Sequence, residues 1–168
     1  MATKHGDWIL RRRFPAAPQR KEQNMNYSES IAHSIEAYLK ENDWTFDFDV
    51  IHGTISVEVE LSCRLASAIV VYQVSEGGFL CYTGLAVEAD SSVRAQVGEY
   101  LHRANYGLPN GNFEFSYDDG SLHYKTVFDC PDGVPSQKQL EDSMAIGLTV
   151  IDHYGDGLYE ILNSQESL

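Results

Sequence analysis

The apolar positions change period several times along the chain. Between Tyr27 and Glu41, Ile31, Ile35, Tyr38 and Leu39 share one side of a helix, with Asn26 or Ser28 as its cap and Asn42 as its stop. The period then drops to two. Phe46, Phe48 and Val50 alternate with Thr45, Asp47 and Asp49. Beyond His52-Gly53, Ile55, Val57, Val59 and Leu61 alternate with Ser56, Glu58 and Glu60. Both segments read as strands with one buried face and one acidic, wet face. Ser67 to Val74 is more densely apolar and predicts a more central strand. Glu76-Gly77-Gly78 turns the chain, and Phe79 to Gly84 returns as a fourth strand.

Helical spacing resumes after Asp90 or Ser91. Val93, Val97, Tyr100, Leu101 and Ala104 mark the buried side, and Gly107 with Pro109 ends the helix. A hairpin follows. Phe113, Phe115 and Tyr117 alternate, as do Leu122, Tyr124, Thr126 and Phe128, and Asp119-Gly120 reads as a two-residue turn between them. The pattern puts Phe113, Phe115, Leu122, Tyr124 and Phe128 in the core beneath Val97 and Leu101. Gly111 marks a bulge or a close backbone approach. After Pro135, Ser136 and Gln139 form a capping box. Leu140, Met144, Leu148, Ile151, Leu158 and Leu162 continue that helix, with Gly147 and Gly155-Asp156-Gly157 as expected bends or breaks. The order α-β-β-β-β-α-β-β-α, rich in hairpins, predicts an α+β fold: an antiparallel sheet with helices on one face.

At 168 residues the chain fits one domain, and 43% apolar with 11% aromatic content is too rich for disorder. No apolar run reaches the roughly 20 residues that span a bilayer. The charged N-terminus is a poor signal peptide. Cys63, Cys81 and Cys130 are odd in number and far apart, with no C-x-x-C. They read as buried apolar side chains, and a reducing cytoplasm suits them.

Charge divides the chain. Residues 1–24 hold six basic and two acidic side chains, net +4, while the remainder holds six basic and 23 acidic, net −17. An acidic body repels phosphate backbones, which argues against nucleic acid and for a basic or amphipathic protein partner. Residues 1–24, with Pro15 and Pro18 and no sustained periodicity, are expected to be a flexible basic tail ahead of a single domain over 25–168. Met25 is an alternative start of translation. Arg11-Arg12-Arg13 has two readings: a patch for nucleic acid, anionic lipid or the acidic body itself, or a plain extension.

Catalytic and cofactor patterns are absent. His123 sits on the outward side of a strand, His102 adjoins Arg103, and His153 follows Asp152 at about 100° around a helix. No His-x-x-x-His, His-x-x-Glu-His or G-x-S-x-G occurs. Asp118-Asp119 belongs to a turn, Glu58 and Glu60 to a solvated face, and Gly77-Gly78 to a strand connection with no following helix. No catalytic, cofactor-binding or metal-ligating residue is therefore assigned, and no cofactor is expected. The ten tyrosines, among them Tyr72, Tyr82, Tyr100, Tyr106 and Tyr124, either line an interface or fill the core with hydroxyls at its rim.

From Val93 to Ile161 the chain resembles the YbjN domain, a relative of the type III secretion chaperone-like fold. The resemblance rests on Arg103-Ala104-Asn105, Gly111-Asn112-Phe113-Glu114, Asp119-Gly120-Ser121-Leu122-His123-Tyr124 and Ile151-Asp152-His153-Tyr154. The Tyr27 to Val87 half matches in element order alone. The resemblance extends over residues 26–163 and implies a homodimeric, non-enzymatic module that binds extended or helical segments of a protein partner along hydrophobic grooves, as secretion chaperones do. One alternative is a regulatory or nucleic-acid-associated protein that acts through the basic tail. Another is an enzyme with an unfamiliar site.

Overall fold

The computed structural model describes residues 26–164. The tail expected over residues 1–24 lies outside them. The described chain runs α1 (Glu29–Glu41), β1 (Phe46–Asp49), β2 (Thr54–Glu60), β3 (Ser67–Val74), β4 (Gly78–Leu85), α2 (Arg94–Asn105), β5 (Asn112–Phe115), β6 (Leu122–Asp129) and α3 (Gln137–Leu162). The six strands form one antiparallel sheet in the order β1-β2-β3-β4-β6-β5. The expected α+β architecture is present, and the dense strands β3 and β4 are central.

All three helices among the described residues pack on one face. Ser28 caps α1 by accepting the Ile31 N–H at 3.3 Å. Glu29 and Lys40 match the helix dipole at its two ends. Ile31, Ile35 and Leu39 pack on Ile55, Val57 and Tyr72. Under α2, Val97 and Leu101 cover Phe113, Leu122 and Tyr124, as the pattern predicts, with Phe115 half-buried beside them. Phe128 departs from the expectation, because it lies half-buried in the first cluster, stacked on Phe79 at 4.9 Å. Helix α3 spans both halves, with Leu140 and Met144 in the first cluster and Ile151 and Leu158 in the second. Each large apolar side chain so buried stabilises the fold by about 1.5–3 kcal/mol.

Several local expectations are corrected. Helix α1 begins at Glu29 rather than near Tyr27, because Tyr27 leaves the helical path, lies over Gly53 and donates its hydroxyl to Val50 O at 2.7 Å. Strand β1 ends at Asp49, so Val50 is exposed in the turn; the Asp49 carboxylate accepts Ile51 N and His52 N and stops the strand. Helix α2 starts at Arg94, not at Asp90 or Ser91. Asp90 instead closes a preceding turn, its Oδ1 accepting from Ser92 N at 2.9 Å. That helix stops at Asn105, just ahead of Gly107 and Pro109 as expected, with Tyr106 still in right-handed geometry.

The β5–β6 connection is not a two-residue turn. Ser116 N donates to Ser121 O, and Gly120 N to Ser116 O, which encloses Tyr117 to Gly120 in a four-residue loop. Arg94 of α2 donates to the carbonyls of Ala89, Tyr117 and Asp118 and holds the loop. Gly120 does take a positive φ of 81° there, a geometry that costs other residues about 1–3 kcal/mol.

Helix α3 is unbroken over 26 residues. Its capping box is present, with Gln139 N donating to Ser136 Oγ and Ser136 N to Gln139 Oε1. The glycines within it serve close approach rather than bending. A Cβ on Gly147 would collide with Thr83 of β4, and one on Gly155 with the Cys63 sulfur. Their absence lets the helix lie tight on the sheet.

Candidate functional site

A β-strand presents alternate residues to opposite faces, so the register fixes which side chains the helices leave uncovered. Three rows cross the helix-free face. The first is Asp49, Thr54, Gln73, Leu80 and Val127; the second Asp47, Ser56, Val71, Tyr82, Lys125 and Asn112; the third Glu58, Ile69, Gly84, His123 and Glu114. Ile69, Val71, Leu80, Tyr82 and Val127 make an apolar stripe down the middle, and none of them belongs to either core cluster. Val127 is 62% exposed, and Ile69, Leu80 and Tyr82 are half-buried.

Charge on this face is asymmetric. On the β1–β2 side, Asp47, Glu58 and Glu60 are exposed and form no ion pair among the described residues. Asp49 pairs with His52 at 2.7 Å. On the β5–β6 side, Glu114 binds His123 Nε2 at 2.9 Å and also receives Lys125 Nζ. Burial pushes the Glu114 carboxyl up, but the hydrogen bonds from Lys125 and His123 outweigh it and hold the group below its ordinary value. The His123 ring stands edge-on to Tyr82 at 4.9 Å. Burial and the nearby Glu114 charge raise the Tyr82 hydroxyl.

A second feature lies beside α3. Two adjoining hollows of about 260 and 270 Å³ share Pro109, Asn110 and Ile146. Each is smaller than the roughly 300–1,000 Å³ usual for small-molecule sites. Asp142, the carboxylate in them, is engaged by Lys138 at 2.8 Å.

The remaining residues singled out by sequence have structural roles. Cys81 and Cys130 are buried and Cys63 is half-buried, all as free thiols. Burial raises the Cys81 thiol to about 12, and its sulfur lies 3.0 Å from Ser143 O. His102 and His153 are exposed. Asp152 accepts Ser62 N and Cys63 N, Asp156 accepts Arg64 N, and Glu160 receives the Arg64 guanidinium, itself over the Tyr159 ring. The Ile151-Asp152-His153-Tyr154 segment therefore fastens the β2–β3 loop to α3. Asn105 satisfies both backbone groups of Phe113, giving Nδ2 to its carbonyl and taking its N–H on Oδ1 at 2.7 Å. The tyrosines divide: Tyr72 and Tyr124 are core, Tyr100 bonds Tyr154 O, Tyr82 lies on the helix-free face, and Tyr106 is 98% exposed.

Residues 32–160 match the YbjN family, described as "Putative bacterial sensory transduction regulator". The chain belongs to the YbjN family. Membership is compatible with a protein-binding module of a regulatory system. No curated protein matches the chain. No helix among the described residues is long and apolar enough to cross a membrane, and no group of three or more His, Cys, Asp or Glu among them is placed to hold a metal ion.

Sequence reading missed the helix-free stripe. The signal was present in β3 and β4, where apolar residues occupy both parities: Ile69 and Val71 as well as Val70 and Tyr72, Leu80 and Tyr82 as well as Cys81. A strand with a single buried face would alternate.

Proposed function

We propose that this YbjN chain is a non-enzymatic, chaperone-like protein-binding module of a bacterial regulatory system, acting in the cytoplasm without a cofactor. It holds a basic or amphipathic segment of a partner protein on the helix-free sheet face. The observation that carries this reading is the apolar stripe of Ile69, Leu80, Tyr82 and Val127, flanked by the exposed carboxylates Asp47, Glu58 and Glu60. Complementary charge speeds encounter, and burial of the stripe holds the complex. The homodimer implied by the secretion-chaperone likeness is part of the same proposal, and light scattering tests it: a single-chain mass across micromolar concentrations rejects it.

The docking reading is tested with Leu80→Glu combined with Val127→Glu, against Lys138→Glu on α3. A stoichiometric co-purifying partner should be lost with the first variant and kept with the second, at unchanged melting temperature. Retention by both, or loss on Ile146→Glu in the hollows beside α3 instead, overturns the assignment of the face.

A further inference from the structure

Val71 sits in the middle row of the helix-free face, yet it is 2% exposed. No helix among the described residues lies on its side of the sheet, and it joins neither core. Val127, in the next row, is 62% exposed. The face is thus half-way to being a second core. What would complete it must be apolar and, beside Asp47, Glu58 and Glu60, basic.

One segment of this chain has that chemistry. Trp8-Ile9-Leu10-Arg11-Arg12-Arg13-Phe14 combines four large apolar side chains with three arginines. It lies within residues 1–24, which carry net +4 against net −17 for the remainder. The described chain also begins in the right place. Ser28 N donates to Ser75 O just past the end of β3, and Tyr27 lies over Gly53 just ahead of β2. That is the end of the sheet where the Thr54, Gln73, Leu80 and Val127 row runs. The residues between Phe14 and Tyr27 reach about 40 Å when extended, at roughly 3.3–3.6 Å each. A strand of seven or eight residues is only about 25 Å long. The linker therefore reaches every row.

We propose that residues 8–14 dock on the helix-free face of their own chain, with Trp8, Ile9 and Leu10 on the Ile69, Tyr82 and Leu80 stripe and the arginines toward Asp47, Glu58 and Glu60. This rests on the docking reading of the face and adds its regulation. The segment is an internal competitor with the chemistry of the partner. A partner binds only the fraction of molecules whose face is open, so its apparent affinity is reduced by that fraction.

The test uses the full-length chain and no partner. Trypsin cleavage after Arg11, Arg12 and Arg13 is followed by mass spectrometry, with a synthetic peptide of residues 1–24 as the unprotected reference. Cleavage tracks the open population, so the full-length chain should be cut about tenfold more slowly than the peptide. Leu80→Glu with Val127→Glu should remove that protection. In methyl spectra, Trp8→Ala should move the Ile69, Val71, Leu80 and Val127 signals and leave Ile35 and Ile151 in place. Cleavage as fast as in the peptide, or face methyls unmoved by Trp8→Ala, overturns the proposal. So does protection that grows with protein concentration, which would make the occupant a second copy. Loss of a co-purifying partner in the Leu80→Glu, Val127→Glu variant, with no protection of Arg11 to Arg13, would leave the docking reading standing and sink this one alone.

Discussion

The two faces of the sheet use the same six strands for different ends. On one, Ile55, Val57, Val70, Tyr72, Cys81 and Tyr124 lie beneath three helices and are at most 1% exposed. On the other, Ile69, Leu80, Tyr82 and Val127 lie in the same register with no described helix above them. A helical layer on one side already supplies a core, so the fold gains little from apolar residues on the second side. Exposed apolar area also carries an aggregation liability. Its presence in the two central strands, edged by carboxylates, is therefore not accounted for by the helix-covered core.

Substitutions can break this contrast or sharpen it. The largest effect is expected on the covered face. Phe113→Ala removes a ring that packs on Tyr124 and Tyr154 and should cost about 3–5 kcal/mol in denaturant unfolding. A near-unchanged midpoint would mean that the covered face is not what holds the fold. Asn105→Ala comes next. It strips the Phe113 N–H of its partner, while the Phe113 carbonyl keeps Asn112 Nδ2 at 3.2 Å, and should cost about 1–3 kcal/mol, with self-association at raised concentration. On the helix-free face, Val127→Ala should stay within about 0.5 kcal/mol of the parent. A larger loss would turn that face into a structural one.

The smallest effect is electrostatic. The Glu114 carboxyl is held below its ordinary 4.5, so its contribution is complete above that value and is lost as pH falls through the folded value. Unfolding midpoints followed downward from pH 5 should drop less steeply in Glu114→Gln than in the parent. Identical acid limbs would show that the pair with Lys125 and His123 is energetically silent.

Element order, the central place of β3, the capping box at Ser136 and the core positions of Phe113 and Tyr124 were legible from periodicity, because each depends on local spacing. The unbroken run of α3 was not. Gly147 and Gly155 look like breakers until Thr83 and Cys63, more than 60 residues away, explain them as clearance. The β5–β6 loop was misread for a similar reason: its shape depends on Arg94 reaching three carbonyls from another element. The helix-free stripe was legible in principle, through the doubled apolar parity of β3 and β4. It went unread because a dense apolar strand is equally well explained by central position alone.

Asn105 has a consequence at the scale of assemblies. Its carboxamide presents one donor and one acceptor in the spacing of a peptide group, so β5, the last strand on its side, already has a surrogate neighbour at Phe113. A sheet with two free rims can add copies head to tail without limit. A rim occupied at one residue offers an incoming strand an interrupted ladder there. One side-chain amide at the end of α2 thus occupies outward backbone groups of β5 where an added strand would otherwise pair.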